Sequence, residues 1–197
     1  MHGLMNRSIQ CFLRDTYGAA TWAAVARQAQ LGFENFEAML SYDDALTDAV
    51  LEAAVQVLGR ARDTVLEDLG IYLVSHPERQ GLRRLLRFGG VGYADFLHSL
   101  EDLPGRIRLA LPEVEAPHLV LEDHSSSEYS VLCHAGLAGA GHVVVGILRA
   151  MADDYGALTL VEYQGVAPDG AERIAITLAD DDFAEGRRFD LAMQVTP

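Results

Sequence analysis

The chain has no lysine. All of its 15 basic residues are arginine, set against 29 acidic residues, for a formal charge of −14. A surface of that sign repels phosphate backbones and anionic lipid, so nucleic-acid or membrane partners are not expected without a local basic patch. The densest candidate, Glu78–Arg87 (ERQGLRRLLR), reads as the solvated face of a short helix. Cysteine is scarce too: Cys11 and Cys133 are too few for a disulfide framework and suit a reducing compartment. The opening MHGLMNRSIQCFLRD carries polar and charged residues throughout, so neither a signal peptide nor a membrane span is expected there, and the cytoplasm is the expected location. Two local absences are sharper. No histidine occurs between Ser99 and Pro117, and no arginine between Arg108 and Arg149.

What is present suffices for one well-packed domain: 197 residues, half of them hydrophobic. Residues 3–17 space Leu4, Met5, Ile9, Phe12 and Leu13 as one helix face, with Gly18 as the stop. Thr21 is expected to cap a short helix carrying Trp22 and Val25. Asp43 or Asp44 should cap a longer one through Leu58, with Gly59 after it. Further helices are predicted over Thr64–Leu73, over Glu78–Phe88 after a break at Pro77, and from Tyr93. From Pro117 the pattern changes to short strands, His118–Leu121 and Tyr129–Cys133. An apolar helix then runs over Gly139–Tyr155. A hairpin, Leu158–Tyr163 with Ile174–Leu178, turns at Pro168-Asp169-Gly170. The fold class is therefore α+β: a helical bundle followed by a small antiparallel sheet with one packed helix. The expected domain is 1–178, with a polar tail over 179–197.

In order and spacing, the chain resembles the haem-nitric oxide/oxygen-binding (H-NOX) family over about residues 1–178. The residues that carry the likeness are MHGL, Tyr17-Gly18 with Trp22, Tyr93-Ala94-Asp95-Phe96-Leu97 followed by Leu100-Glu101-Asp102-Leu103, Ala116-Pro117, and Gly146-Ile147-Leu148 followed by Tyr155-Gly156. The resemblance implies a sensor that signals by shifting the bundle against the sheet, with a histidine kinase or a diguanylate cyclase as partner. It also implies haem, held by one histidine before the sheet and by a Tyr-x-Ser-x-Arg motif.

Neither element of haem attachment is present. Counting from Phe96-Leu97, the ligand position is Pro104, within Leu103-Pro104-Gly105, a triplet expected to interrupt the helix. Anchoring on His134-Ala135-Gly136-Leu137 puts Ser130, Leu132 and His134 at the three motif positions. Anchoring on Tyr129 puts Val131 and Cys133 there instead, and anchoring on Gly146 leaves Leu137 for arginine. In no register does a guanidinium fork face a propionate.

Other features have plainer readings. Cys11 and Trp22 suit the core. Asp180-Asp181-Asp182 is a solvated run, Ser125-Ser126-Ser127 a turn, and Gly139–Gly141 a close helix approach rather than a phosphate loop. Asp153-Asp154 opposes the dipole at a helix C-terminus, which points to a partner or an internal contact. His98, His118, His124, His134 and His142 match no zinc spacing, so no metal site is expected. No catalytic set stands out, and the chain is not expected to be an enzyme.

Two functions follow. In the first, the chain is a regulatory domain without the usual haem attachment, acting through an apolar ligand or through protein contacts. Its pocket, by resemblance, is lined by Met1, Met5, Ile9, Leu103, Pro104, Pro117, Leu132 and Val143. In the second, haem is bound through a non-standard axial ligand, His98 or His134, and the domain senses NO or O2.

Overall fold

The computed structural model describes residues 1–114 and 116–189. Helices come first: α1 (Gly3–Tyr17), α2 (Ala19–Gln28), α3 (Asp44–Leu58), α4 (Arg62–Ser75), α5 (Gln80–Arg87), α6 (Tyr93–His98) and α7 (Leu103–Ala110). Then come β1 (His118–Asp123), β2 (Glu128–His134), α8 (Ala140–Tyr155), β3 (Leu158–Val166) and β4 (Glu172–Asp180). Among the described residues the strands form an antiparallel sheet in the order β1-β2-β4-β3. This is the α+β arrangement the sequence predicts. No helix among the described residues is long and apolar enough to cross a membrane.

Local chemistry sets the boundaries. The His2 Nδ1 atom accepts from Leu4 N at 3.2 Å and caps α1. Asp43, rather than Asp44, caps α3 by accepting from Ala45 N at 3.0 Å. Thr21 does not cap α2: Gly18 holds that position, and the Thr21 hydroxyl donates back to Tyr17 O at 2.8 Å from inside the first turn. The β3–β4 hairpin closes as predicted, with Gly170 at φ +87° and Asp169 Oδ1 accepting from Ala171 N at 3.1 Å.

The Leu103-Pro104-Gly105 stretch differs from expectation. The helical path is interrupted earlier, by a 3-10 turn at Leu100–Asp102, and α7 then begins at Leu103. Pro104 lies in the first turn of α7, where a missing N–H leaves no bond unmade. It starts a helix instead of breaking one.

Two hydrophobic clusters fill the interior. The helical cluster gathers α1–α4 around Ile9, Phe12, Leu13, Trp22, Leu51 and Leu66, with Cys11 buried among them. The sheet cluster gathers α6, α8 and one sheet face around Tyr93, Phe96, Leu97, Val131, Leu148 and Ile174. Leu137 packs against both. The two halves meet where α4 crosses α8. A Cβ on Gly70 would fall 2.1 Å from Val143 O, and one on Gly146 would fall 2.0 Å from Glu67 O. Only glycine permits so close a backbone approach.

Arg84 of α5 is exposed, as the sequence predicts, but Arg83 and Arg87 are not on the solvated face. Arg83 and Arg87 are only 13% and 14% exposed and pair with Asp154, itself 1% exposed, at 2.7 and 3.5 Å. This is the internal contact that Asp153-Asp154 implied. The expected boundary at 178 falls inside β4, and backbone bonds continue beyond it: Ala184 N donates to Gly156 O and Arg187 N to Asp154 O, both at 2.9 Å. The rest of the expected tail, 190–197, lies outside the described residues.

Candidate functional site

Strand periodicity decides which residues of β2 face inward. Tyr129, Val131 and Cys133 are 5%, 0% and 1% exposed and pair with Ile176, Ile174 and Glu172 across the sheet. Leu132 pairs with Val120 on one side and Arg173 on the other, on the outer face with the Arg173–Glu122 ion pair. Leu132 and His134 therefore belong to the wrong face to line an interior pocket. Alternation along the strand thus puts Tyr129, Val131 and Cys133 against the sheet cluster and Leu132 and His134 on the opposite face. At these positions the inner face offers a phenol, a valine and a thiol. The Tyr129 hydroxyl donates to Ser126 O at 2.9 Å. Burial, helped by the nearby Glu172 carboxylate, pushes the Cys133 thiol up to about 12, so it stays protonated at neutral pH.

The other expected lining residues divide between the two halves. Ile9 is 1% exposed in the helical cluster, and Val143 packs against that cluster. Leu103, 6% exposed, belongs to the sheet cluster with Leu100 and Leu119, and Ile107 packs against it. Met1 and Met5 are half-buried and belong to neither cluster; Pro104 and Pro117 are half-buried as well. The start of α1 meets the α7–β1 connection at His2, whose Nε2 lies 3.9 Å from the Glu113 carboxylate. Two surface concavities, of about 460 Å³ beside Phe12, Tyr17 and Tyr72 and about 300 Å³ beside Gln28 and Glu52, contain none of the expected lining residues.

The candidate axial histidines stand outside both clusters. His98 is 54% exposed, with Nδ1 3.8 Å from Asp123 and its ring edge-on to Tyr129 at 6.0 Å. His134 is exposed, its ring 5.9 Å from that of His118. His124 Nε2 is bonded to Ser130 Oγ at 2.8 Å. Among the described residues no three His, Cys, Asp or Glu side chains gather as a metal-holding group.

Several polar groups escaped the sequence reading because their partners are distant in the chain. The Glu172 carboxylate accepts from Gly139 N and Gly141 N, each at 3.1 Å. A side chain of the protein itself thus occupies the start of α8, where a glycine-rich loop might otherwise cradle an anion. His142, 10% exposed at its side chain, lies between Glu67 at 3.2 Å and Asp63 at 3.5 Å and stacks on Tyr163 at 4.0 Å. Burial and then the Glu172 hydrogen bond push Tyr163 up to about 12. On α1, Asn6 Oδ1 accepts from Thr47 at 2.7 Å and Gln10 Oε1 from Phe36 N at 2.9 Å, so the buried amides fix α1 against α3 and the α2–α3 loop.

Comparison with known proteins agrees with this arrangement. The H-NOX structure from K. algicida superposes with a TM-score of 0.78 at 16% identity, covering 94% of this chain and 100% of that one. The one from S. oneidensis does so at 0.77 and 12% identity, covering 92% and 98%. These identities speak for the fold alone. Soluble guanylate cyclase 89Db of Drosophila melanogaster is 22% identical over 163 residues, which is 83% of this chain but 24% of that protein. The gcy-31 cyclase of Caenorhabditis elegans is 22% identical over 149 residues, 76% of this chain and 21% of its own length. The chain thus spans about a quarter of the curated relatives it matches. The family model described as haem-NO-binding matches residues 2–162, most of the chain, and the protein belongs to that family.

Proposed function

We propose that this domain is a regulatory member of the family that does not hold haem in the family's usual manner and acts through an apolar ligand or through protein contacts. The observation that carries this reading is the start of α7. Pro104 fills the position where the resemblance places the imidazole, and its neighbour Leu103 packs into the sheet cluster. A proline offers no nitrogen lone pair to iron. The inner face of β2 supports the same reading, because Val131 and Cys133 supply no cation for a propionate. The residues present at these two positions do not fit haem held in the family's manner.

The half-buried Met5 on α1 and Met1 just before it leave apolar surface for a hydrophobic guest. The partner is a signalling protein such as a histidine kinase or a diguanylate cyclase. The likeness to guanylate cyclases supports a signalling role, since those proteins continue well beyond the matched region.

The test is an absorption spectrum of protein expressed with haem supply. The expected outcome is haem far below stoichiometric and lost on gel filtration. A stoichiometric Soret band that survives gel filtration overturns the reading. In that event, loss of the band in His98→Ala or His134→Ala identifies the ligand, and its persistence in both refutes both candidates.

A further inference from the structure

Residues after β4 are bound to three helices at once. Asp181 Oδ1 accepts from Tyr93 N, the first residue of α6, at 2.9 Å. The contact is close enough that a Cβ on Gly92 would fall 2.8 Å from Asp181 Oδ2. Farther on, Ala184 N donates to Gly156 O and Arg187 N to Asp154 O, which ties the segment to the end of α8. Gly156 and Gly186 allow this approach: a Cβ on Gly156 would fall 2.1 Å from Ala184 O, and one on Gly186 2.6 Å from Tyr155 O. Arg83 of α5 donates to Arg188 O at 3.1 Å. Arg87 sits over the Tyr155 ring at 4.0 Å and 5.3 Å from the Phe189 ring. The same two arginines hold the buried Asp154.

α6 is equally constrained from the other side. The Tyr93 hydroxyl, wholly buried, donates to Leu148 O at 3.1 Å, and the Tyr155 hydroxyl donates to Gly90 O at 3.1 Å. Beyond α6 the chain runs directly through the 3-10 turn into Leu103 and Pro104. Arg106 of α7 donates to Leu85 O of α5 at 3.1 Å and to Ser99 O. Moving α6 and α7 therefore either carries Asp181–Phe189 along or breaks the Asp181–Tyr93 bond.

We propose that Asp181–Phe189 is a strap that reads the position of α6 and α7, so that a shift at the Leu103-Pro104 end is passed to the C-terminal side of β4. The proposal deepens the regulatory reading and rests on it for its purpose, though the coupling itself requires neither haem nor a ligand. The segment is bonded at both ends and lies over the ion pairs of Asp154 with Arg83 and Arg87, so release at one end is expected to loosen the other.

Hydrogen exchange read by mass spectrometry on the whole chain tests this. Asp181→Ala removes the bond to α6, and Phe189→Ala loosens the opposite end without touching α6. Both variants are expected to exchange about tenfold faster over 93–107 and over 181–189 together, the scale of one lost charge-assisted bond. Amides of β1 and β2 should keep their rates, which separates coupling from general unfolding. If Phe189→Ala frees the strap while 93–107 keeps its wild-type rates, the proposal is overturned. It is also overturned if Asp181→Ala speeds 93–107 alone. A stoichiometric Soret band would sink the haem-independent function yet leave this result standing, so the two failures are distinguishable.

Discussion

The two sides of the domain treat the expected pocket differently. On the sheet side Leu103, Val131 and Cys133 are buried in a continuous cluster with α8, and none exposes more than a few per cent of its surface. On the helical side Ile9 is buried, but Met1 and Met5 stay half-exposed outside either cluster. On the sheet side apolar packing covers Leu103 and the inner face of β2, while Pro104 and Pro117 beside them stay half-buried. The side that would face a bound guest has not been filled in the same way. Closing a void recovers contacts that an empty one forfeits.

The joint between the halves gives the severest way to break this contrast. Gly146→Ala drives a methyl into Glu67 O across the α4–α8 crossing, where backbone rather than a flexible side chain must yield. A loss of about 3 kcal/mol is expected in urea unfolding, with both halves affected together. The contrast itself is sharpened by paired truncations on its two sides. Leu103→Ala should lose about 2.5 kcal/mol, whereas Met5→Ala should lose under about 1 kcal/mol, both read from denaturant midpoints. Equal losses would mean that the helical side is as tightly filled as the sheet side.

The smallest effect is pH-dependent and confined to the helical half. Burial alone would raise the Asp15 carboxyl, but the Tyr72 hydroxyl at 2.7 Å and the Arg14 guanidinium outweigh it and hold it below the usual carboxylate range. A depressed carboxyl adds stability above its unfolded value, near 4, and loses it as pH falls through the folded value. Tyr72→Phe should therefore cost about 1 kcal/mol at pH 7. The gap from wild type should narrow as the solution is acidified below about pH 4. A gap that is constant with pH would assign the loss to other Tyr72 contacts.

Local signals made much of the fold legible. Gly18, Asp43, Gly59 and the Pro168-Asp169-Gly170 turn act through neighbours a few residues away, and they lie where the sequence puts them. The partnership of Arg83 with Asp154 spans 71 residues, and that of Glu172 with Gly139 spans 33, so no local pattern could reveal either. Leu132 illustrates a different obstacle. Two registers of β2 were open on sequence, and alternation turns a single-residue slip into a swap of faces. Cross-strand pairing with Ile174 and Ile176, 40 residues or more down the chain, fixes which residues of β2 face the core.

On the proposed reading, in which Pro104 takes the place of a ligating histidine, the position of Pro104 bears on how readily an imidazole could stand there. It occupies the first turn of α7, so that helix would form with histidine in its place about as well as with proline. The backbone of α7 would accept an imidazole at this position without rebuilding. Val131 and Cys133 are the deeper commitment, because an arginine there would displace a packed core. Evolution could retrace the first step cheaply and the second only by rebuilding the inner face of the sheet.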